Sequence, residues 1–274
     1  MCALLRAVDV HFSYGTSPVL RDVSIEVPDG GFAGILGPNG SGKTTLLKVL
    51  SGTVTPRAGT LTMDGRDIRR MPRAALARRM AVVPQETHLA FDYSVLEVVL
   101  MGRYPHLGTF QIEGPNDIAI ARRALAATGT SLLEHRQFAT LSGGEKQRVV
   151  IASALAQVTG DNGTAGSYLL LDEPTAALDL AYQIEIAALL RDLQQRIPIT
   201  ILVSTHDLNF AAGVCTSLVL LSEGRVLATG PTDVVLTRSN ILDLYGVEAD
   251  VRRHDDAGRL VVVPIARAAR GAPG

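Results

Sequence analysis

The sequence runs to 274 residues, 47% of them apolar and 19% charged, enough for one large domain, or a domain with a subdomain, around a buried core. A formal net charge of -1 lacks the basic excess of a nucleic-acid surface, so no nucleic-acid partner is expected. Two isolated cysteines, Cys2 and Cys215, exclude a disulfide framework and a thiolate metal centre, point to a reducing compartment and leave Cys215 to pack as a small apolar residue.

The opening MCALLRAVDV lacks the long apolar core of a signal peptide, and no apolar run approaches the roughly 18 residues of a membrane span. Alternating apolar residues over 4–10 and 19–27, with breakers at 13–17 and 28–31, predict short antiparallel strands. Tyr14, in HFSYG, offers a ring that can stack on adenine, a contact of about 1–3 kcal/mol in stacking systems; standing alone it reads as an exposed turn tyrosine. The apolar run 32–36 then enters GPNGSGKTT, which is Gly37, Pro38, Asn39, Gly40, Ser41, Gly42, Lys43, Thr44 and Thr45, ahead of a helical run over 46–50. A strand turning into a helix through this spacing is the setting of a phosphate-binding loop. Glycines at 37, 40 and 42 let backbone N–H groups face phosphate oxygens, and the helix adds its positive end. Lys43 would reach the β- and γ-phosphates and the Thr44 hydroxyl would ligate magnesium. The chain is therefore expected to bind a nucleoside triphosphate.

The arginines at 69, 70, 73, 78 and 79 alternate with apolar residues and read as the wet face of a helix. Residues 61–64 and 81–84 read as strands, the second ending at Gln85, where a polar side chain can touch magnesium or the attacking water. Between 87 and 158 the pattern turns helical, with helices expected near 95–102, 116–128 and 144–156, as a mostly helical insertion in an α/β core. The insertion ends in LSGGEKQR. There Ser142 can cap the helix that follows, Gly143 and Gly144 bare its first amides, and Glu145 comes next. One nucleotide has no evident need of a second such anion-binding helix start, unless this one closes on a nucleotide held by another copy.

Residues 157–167, polar and Gly-rich, read as a surface loop. YLLLDE, residues 168–173, reads as a strand buried on both faces. Asp172 at its carboxyl end would hold magnesium and Glu173 would orient and deprotonate water, unless the two only cap the next helix. A turn through Ala177, Leu178 and Asp179 opens a helix over 181–196, and 199–203 is another buried strand ending in STHDL. Its His206 can sense a γ-phosphate, or serve as a cap. A hairpin-like pair at 218–221 and 225–229, short helices over 233–236 and 240–244, and an extra hairpin at 250–254 and 260–263 turning at 256–258 complete the chain. The final ARAARGAPG is expected to be disordered.

In this order GPNGSGKTT, Gln85, LSGGE, YLLLDEP, the AALD turn and the histidine of STHDL resemble the nucleotide-binding subunit of an ATP-binding cassette transporter, over about residues 3–246. The resemblance implies an α/β fold: a phosphate-loop ATPase core with a mostly parallel sheet, an N-terminal antiparallel β-subdomain and a helical subdomain inserted at about 88–157. Residues 1–246 would be the cassette and 247–274 an extension. ATP and magnesium follow as cofactors. Tyr14 becomes the adenine-stacking aromatic, Gly37 to Thr45 the phosphate loop, and Gln85 the link to the membrane partner. Ser142, Gly143, Gly144 and Glu145 become the signature that completes the site of a second copy. Asp172 and Glu173 become magnesium ligand and catalytic base, Asp179 a dimer contact and His206 the γ-phosphate switch. Glu145 stands where Gln is commoner in the family, and the 157–167 loop and the tail after Val247 also depart from its pattern.

Within that family FDYSVLEVVLMGRYPH, residues 91–106, resembles the importer branch that serves iron-siderophore, haem and cobalamin permeases. It lies where the family docks the membrane subunit's coupling helix. Val95, Leu96, Val98 and Val99 beside Phe91 and Tyr93 would line a groove for that helix, or form only the subdomain's own core. The implied partners are a second copy in a head-to-tail homodimer, integral membrane permease subunits and, indirectly, an extracytoplasmic substrate-binding protein, with the chain at the cytoplasmic face of the membrane. The alternatives are a soluble cassette ATPase acting as a clamp in assembly or repair, and the ATPase of an importer for another substrate.

Overall fold

The computed structural model describes residues 4–87, 89–160, 163–176, 178–255 and 258–267. In chain order, β1 (Leu4–Tyr14), β2 (Ser17–Pro28), β3 (Phe32–Leu36), α1 (Lys43–Leu50), β4 (Ala58–Met63), β5 (Arg66–Asp67), α2 (Arg73–Ala77) and β6 (Met80–Val83) precede three helices, α3 (Val95–Met101), α4 (Pro115–Ala127) and α5 (Gly143–Val158). After them come β7 (Ser167–Asp172), α6 (Leu180–Arg196), β8 (Ile199–Thr205), α7 (Leu208–Val214), β9 (Ser217–Ser222), β10 (Arg225–Pro231), α8 (Thr232–Val235), α9 (Arg238–Tyr245) and the hairpin β11 (Val247–His254) with β12 (Arg259–Arg267).

A central sheet has the order β10-β9-β3-β8-β7-β6, parallel throughout except for β10. A second, antiparallel sheet has the order β2-β1-β4-β5. Every residue of β3, β7 and β8 is buried, because alternate side chains of the same strand serve two different cores. Ala33, Ile35, Tyr168, Leu170, Leu202 and Leu221 face α1 and the antiparallel sheet. Phe32, Leu36, Leu169, Leu171, Ile201 and Val203 face the helical insertion, α6 and α7. Each leucine, isoleucine, valine or phenylalanine among them contributes about 1.5–3 kcal/mol on leaving water, and needing both faces apolar makes the runs nearly unbroken in sequence.

Several expected boundaries move. The breaker at 13–17 is mostly strand, since β1 and β2 continue to a turn at Gly15 and Thr16; Phe12 is buried there and keeps the alternation going. The 157–167 segment is not a surface loop throughout. α5 runs to Val158, Gln157 donates from Nε2 to the carbonyls of Ala77 (2.8 Å) and Met80 (3.1 Å), and Thr164 and Ser167 are buried. The arginines after β5 are not all on a free wet face. Arg79 pairs with Asp64 at 2.6 Å and Arg78 donates to the Pro105 carbonyl at 2.7 Å.

β12 extends to Arg267, so Ala266 and Arg267 belong to a strand and not to a disordered tail; residues 268–274, Ala177 and the turn at 256–257 lie outside the described residues. The last hairpin is fastened to the core. Asn209 of α7 donates to the Val262 carbonyl (3.1 Å) and accepts its N–H (2.9 Å), while Ala249 and Val262 join the main apolar cluster. Cys215 is buried in that cluster, as its apolar reading requires.

Candidate active site

The loop between β3 and α1 folds back because two of its glycines take left-handed backbone, Gly40 at φ +80° and Gly42 at φ +105°. Gly37 is required for a different reason: a Cβ there would lie 2.2 Å from the Leu221 carbonyl oxygen. The loop is tied down by Gly37 N–H to the Thr205 carbonyl (3.4 Å), Ser41 N–H to the Pro38 carbonyl (3.2 Å) and Gly224 N–H to the Ser41 carbonyl (3.0 Å). Asn39, Gly40, Gly42, Lys43, Thr44 and Thr45 line a cavity of about 350 Å³, closed on its other sides by Val19, Gln85 and Glu173. Gly37 and Pro38 contribute from behind, as carbonyl acceptors for Lys43 Nζ at 2.9 and 3.1 Å. Ser41 is buried, and its hydroxyl has no partner among the described residues.

The ends of β7 and β8 supply the acidic side of the cavity. Asp172 lies opposite Ser204 in the parallel register, and its Oδ1 accepts from the hydroxyls of Ser204 (2.5 Å) and Thr44 (3.1 Å). Glu173, one residue past the strand, sits at φ 45°, a left-handed conformation unusual for a residue with a side chain. Such strain costs of order 1–3 kcal/mol and persists only where the surroundings impose it. Its N–H is held by the Ser204 hydroxyl and carbonyl, each at 3.1 Å. Its carboxylate bridges two bases, Lys43 Nζ at 3.0 Å and His206 Nδ1 at 2.9 Å. Lys43 is buried and His206 exposed.

Lys43, Thr44, Gln85 and Glu173 thus line one cavity, with Asp172 bonded to Thr44 and His206 to Glu173 behind it, from four separate stretches of sequence. The donor set fits magnesium. The ion takes hard oxygen ligands and shares its shell with waters and substrate phosphates, and here a threonine hydroxyl and one carboxylate adjoin at the phosphate loop. No group of three or more His, Cys, Asp or Glu able to hold a metal by itself occurs among the described residues.

Other expected residues stand apart. Tyr14 ends β1, half exposed, with its ring edge-on to Phe12 at 4.8 Å. Ser142, Gly144 and Glu145 do not line the phosphate-loop cavity, and Gly143 lines an adjoining hollow with Gln85 and Glu173. The start of α5 has a reciprocal cap: Ser142 Oγ accepts the Glu145 N–H (3.3 Å), and the Glu145 carboxylate accepts the Ser142 N–H (2.8 Å). Glu145 therefore commits its Oε2 to the cap, and the Ser142 N–H holds its carboxyl below the ordinary range. Gly144 is buried against α6, where a Cβ would meet the Tyr182 ring at 2.2 Å. Asp179 is exposed and caps α6 by accepting the Tyr182 N–H at 3.1 Å.

Of the proposed docking stretch, Val95, Val98 and Val99 are core residues, while Phe91 is 73% exposed beside a half-buried Tyr93. Two polar residues of the stretch, Arg103 and His106, turn inward. Arg103 pairs with Asp117 at 3.0 Å and donates at 2.6 Å to the carbonyls of Ala156 and Thr159, and the His106 ring meets the Gln157 carbonyl at 2.7 Å. Sequence reasoning missed this clasp on the C-terminal end of α5, and it missed Ser204. The available signal for Ser204 was a hydroxyl pair, Ser204 and Thr205, closing the mostly apolar run ITILV.

The chain matches the model of the ABC transporter family over residues 20–176. It is 41% identical to a hemin import ATP-binding protein of Gloeobacter violaceus, across 99% of this chain and 98% of that protein. It is 40% identical to a cobalamin import ATP-binding protein of Halobacterium salinarum, across 90% of this chain and 60% of that longer protein. Among solved structures it overlays with a TM-score of 0.83 and 30% identity on a chain of an ABC transporter described as of the metal-chelate type, in an inward-facing conformation, covering 97% of this chain and 98% of that one. The chain belongs to the ABC transporter family, as an ATP-binding subunit that hydrolyses ATP in support of transport.

Proposed function

We propose that this chain energises an importer for a metal chelate, of the hemin, cobalamin or iron-siderophore class, through a separate integral membrane permease. The observation that carries the reading is the meeting of Lys43, Thr44, Gln85 and Glu173 at the phosphate-loop cavity, with Asp172 and His206 bonded to Thr44 and Glu173, in a chain whose relatives are named for hemin and cobalamin import.

Lys43 donates to two loop carbonyls and pairs with Glu173. When ATP enters, its phosphate oxygens replace Glu173 at the lysine, and the N–H groups of the loop and of the first turn of α1 take up the rest of the charge. Thr44 and Asp172, with Gln85 beside them, would hold magnesium, which supplies charge neutralisation on the phosphates. Glu173, released from Lys43, orients a water and accepts its proton as the water oxygen bonds to the γ-phosphorus. The bond to the β–γ bridging oxygen breaks, giving ADP and phosphate. His206 moves from Glu173 to the γ-phosphate. Tyr14 stacks on adenine.

Ser142, Gly143, Gly144 and Glu145 serve a second copy, in a head-to-tail homodimer around two ATP, with Asp179 at the contact. An α5 start outside the chain's own phosphate-loop cavity supports this. Phe91 and its neighbours face the permease, the chain is peripheral at the cytoplasmic face of the membrane, and an extracytoplasmic binding protein delivers the cargo. No helix among the described residues is long and apolar enough to cross a membrane.

The test is ATP hydrolysis after reconstitution with a permease in lipid, adding binding protein loaded with ferric siderophore, haem or cobalamin in turn. Stimulation by one cargo is expected. Basal hydrolysis that no cargo alters would sink the chelate-importer reading while leaving the ATPase standing.

A further inference from the structure

Ser204 has no part in the machinery described so far, yet it touches both acidic groups. It ends the buried strand β8 and is itself fully buried, two residues before His206 in sequence and directly across from Asp172 in the register. Its single oxygen does two jobs. As a donor it gives its proton to Asp172 Oδ1 at 2.5 Å, a short bond of the charge-assisted kind. As an acceptor it takes the N–H of Glu173 at 3.1 Å.

The consequences fall on two neighbouring residues. Thr44 donates to the same Asp172 oxygen at 3.1 Å, so both hydroxyls crowd Oδ1, and Oδ2 carries no hydrogen bond to another described residue. One carboxylate oxygen of the buried Asp172 is thereby anchored in the protein, and the other is left to a ligand. At Glu173 the same hydroxyl shares an N–H whose residue sits at φ 45°. The Ser204 carbonyl takes the same N–H at 3.1 Å, so the hydroxyl and the carbonyl together hold the turn that keeps the Glu173 carboxylate beside Lys43 and His206.

We propose that Ser204 is a positioning residue for hydrolysis: its hydroxyl divides the labour between adjacent carboxylates, anchoring Asp172 through one oxygen as a metal-facing group and holding Glu173 in the turn that makes it a base. The inference rests on the roles given above to Asp172 and Glu173. Replacing the serine by alanine removes one oxygen from a packed strand and leaves the apolar contacts of β8 in place, so its effect is on orientation.

The full chain carrying Ser204→Ala, Ser204→Thr, Ser204→Cys or Glu173→Gln is compared with the unaltered chain by two readouts besides turnover. One is Mn²⁺ affinity by electron paramagnetic resonance with a saturating non-hydrolysable ATP analogue; the other is affinity for a fluorescent ATP analogue in EDTA. Ser204→Ala is expected to keep the metal-free nucleotide affinity within about twofold. It should weaken Mn²⁺ binding and lower kcat by about 10–100-fold, the usual cost of losing a group that orients a metal ligand, with KM for ATP unmoved at saturating metal. Ser204→Thr, which keeps the hydroxyl, should restore both. Unaltered Mn²⁺ affinity and kcat in Ser204→Ala would overturn the proposal, and so would an equal loss of metal-free affinity, the mark of a plain core residue. If Ser204→Ala does not fold, Ser204→Cys carries the test: its weaker donor should also lower Mn²⁺ affinity, and unaltered affinity overturns the idea. Near-normal turnover by Glu173→Gln would bring down the underlying site assignment and this inference with it. An inactive Glu173→Gln beside an unaffected Ser204→Ala would remove this inference alone.

Discussion

Lys43 and Glu173 form an ion pair of 3.0 Å, and so do Arg103 and Asp117; in both, the cation's side chain is 4% exposed and the carboxylate's 12%. Their surroundings differ. Arg103 also donates from Nη1 to the carbonyls of Ala156 and Thr159, and Asp117 accepts the Gly114 N–H at 3.0 Å. Every partner is part of the helical insertion or its edge, and none can leave without stranding a buried polar group. Glu173 instead shares its charge between Lys43 and an exposed His206, on a strained backbone at the wall of a cavity. Phosphate oxygens can replace each of those contacts. Burial and distance alone do not distinguish a site from a clasp; the distinction lies in whether the partners can be exchanged.

The contrast breaks most visibly at Glu173. Glu173→Gln should lower kcat by about 10²–10⁴-fold, the range of a positioned general base, while ATP still binds and the melting temperature holds. Near-normal turnover would end the comparison, since the site pair would then be as structural as the other. Arg103→Met should do the reverse. Removing one member of a buried pair costs about 3–5 kcal/mol by leaving the other charge uncompensated, so urea unfolding should shift by that amount while ATP affinity of the folded protein stays unchanged. Adding Asp117→Leu should recover most of the loss. A fall in ATP affinity without a fall in stability would show that the clasp belongs to the site.

Ser142→Ala tests the helix start that lies outside the phosphate-loop cavity. Its cap is worth about 1 kcal/mol by the usual measure for such residues, read from denaturant unfolding. In a Glu173→Gln background the same change should also abolish an ATP-dependent dimer seen by light scattering. Retention of that dimer, with only the stability loss, would reduce Ser142 to a cap.

How much of this was readable in the sequence depends on where the information lies. The strand-loop-helix at Gly37 to Thr45 was legible because one short stretch contains the strand, the glycines and the lysine. The buried strand Ser167–Asp172 was equally plain, since a parallel strand with a core on each face must be apolar throughout. The meeting of Lys43, Glu173 and His206 was inferred from family order and not from spacing, because three chain segments converge only through the register of β7 on β8 and β8 on β3. The acceptors that Ser204 and Arg103 find were illegible for a related reason. Each residue matters through a carbonyl or carboxylate distant in sequence, and a serine ending a strand or an arginine after a helix carries no mark of which acceptor it will find. The 157–167 stretch misled because Gln157 and Thr164 are polar in composition, yet Gln157 satisfies the carbonyls of Ala77 and Met80 and Thr164 is buried.

The smallest expected effect is a pH dependence confined to the clasp. His106 lies half-buried with its ring on the Gln157 carbonyl at 2.7 Å. Burial pushes its pKa below the ordinary histidine value, Arg103 and Arg78 push it further the same way, and the Gln157 carbonyl and Asp117 oppose them. The folded chain therefore prefers the neutral ring, while the unfolded chain binds a proton near pH 6.5. Stability from this residue is complete above about pH 6.5 and declines as the pH falls through that value toward the lower folded pKa. Asp117 follows at lower pH. Burial, the strongest single influence, works against ionisation, but the Gly114 N–H and the Arg103 guanidinium outweigh it and hold its carboxyl below the ordinary range. Its contribution is lost only as the pH drops below about 3.9. His106→Gln keeps a donor for the Gln157 carbonyl and removes the titration, so its melting temperature should stay level between about pH 7.5 and 5.5 where that of the unaltered chain falls. Parallel slopes would show that the loss arises elsewhere. The same measurement with a saturating ATP analogue sharpens the contrast: the nucleotide should raise both curves by the same amount, because it exchanges partners at Lys43 and touches none of those at Arg103.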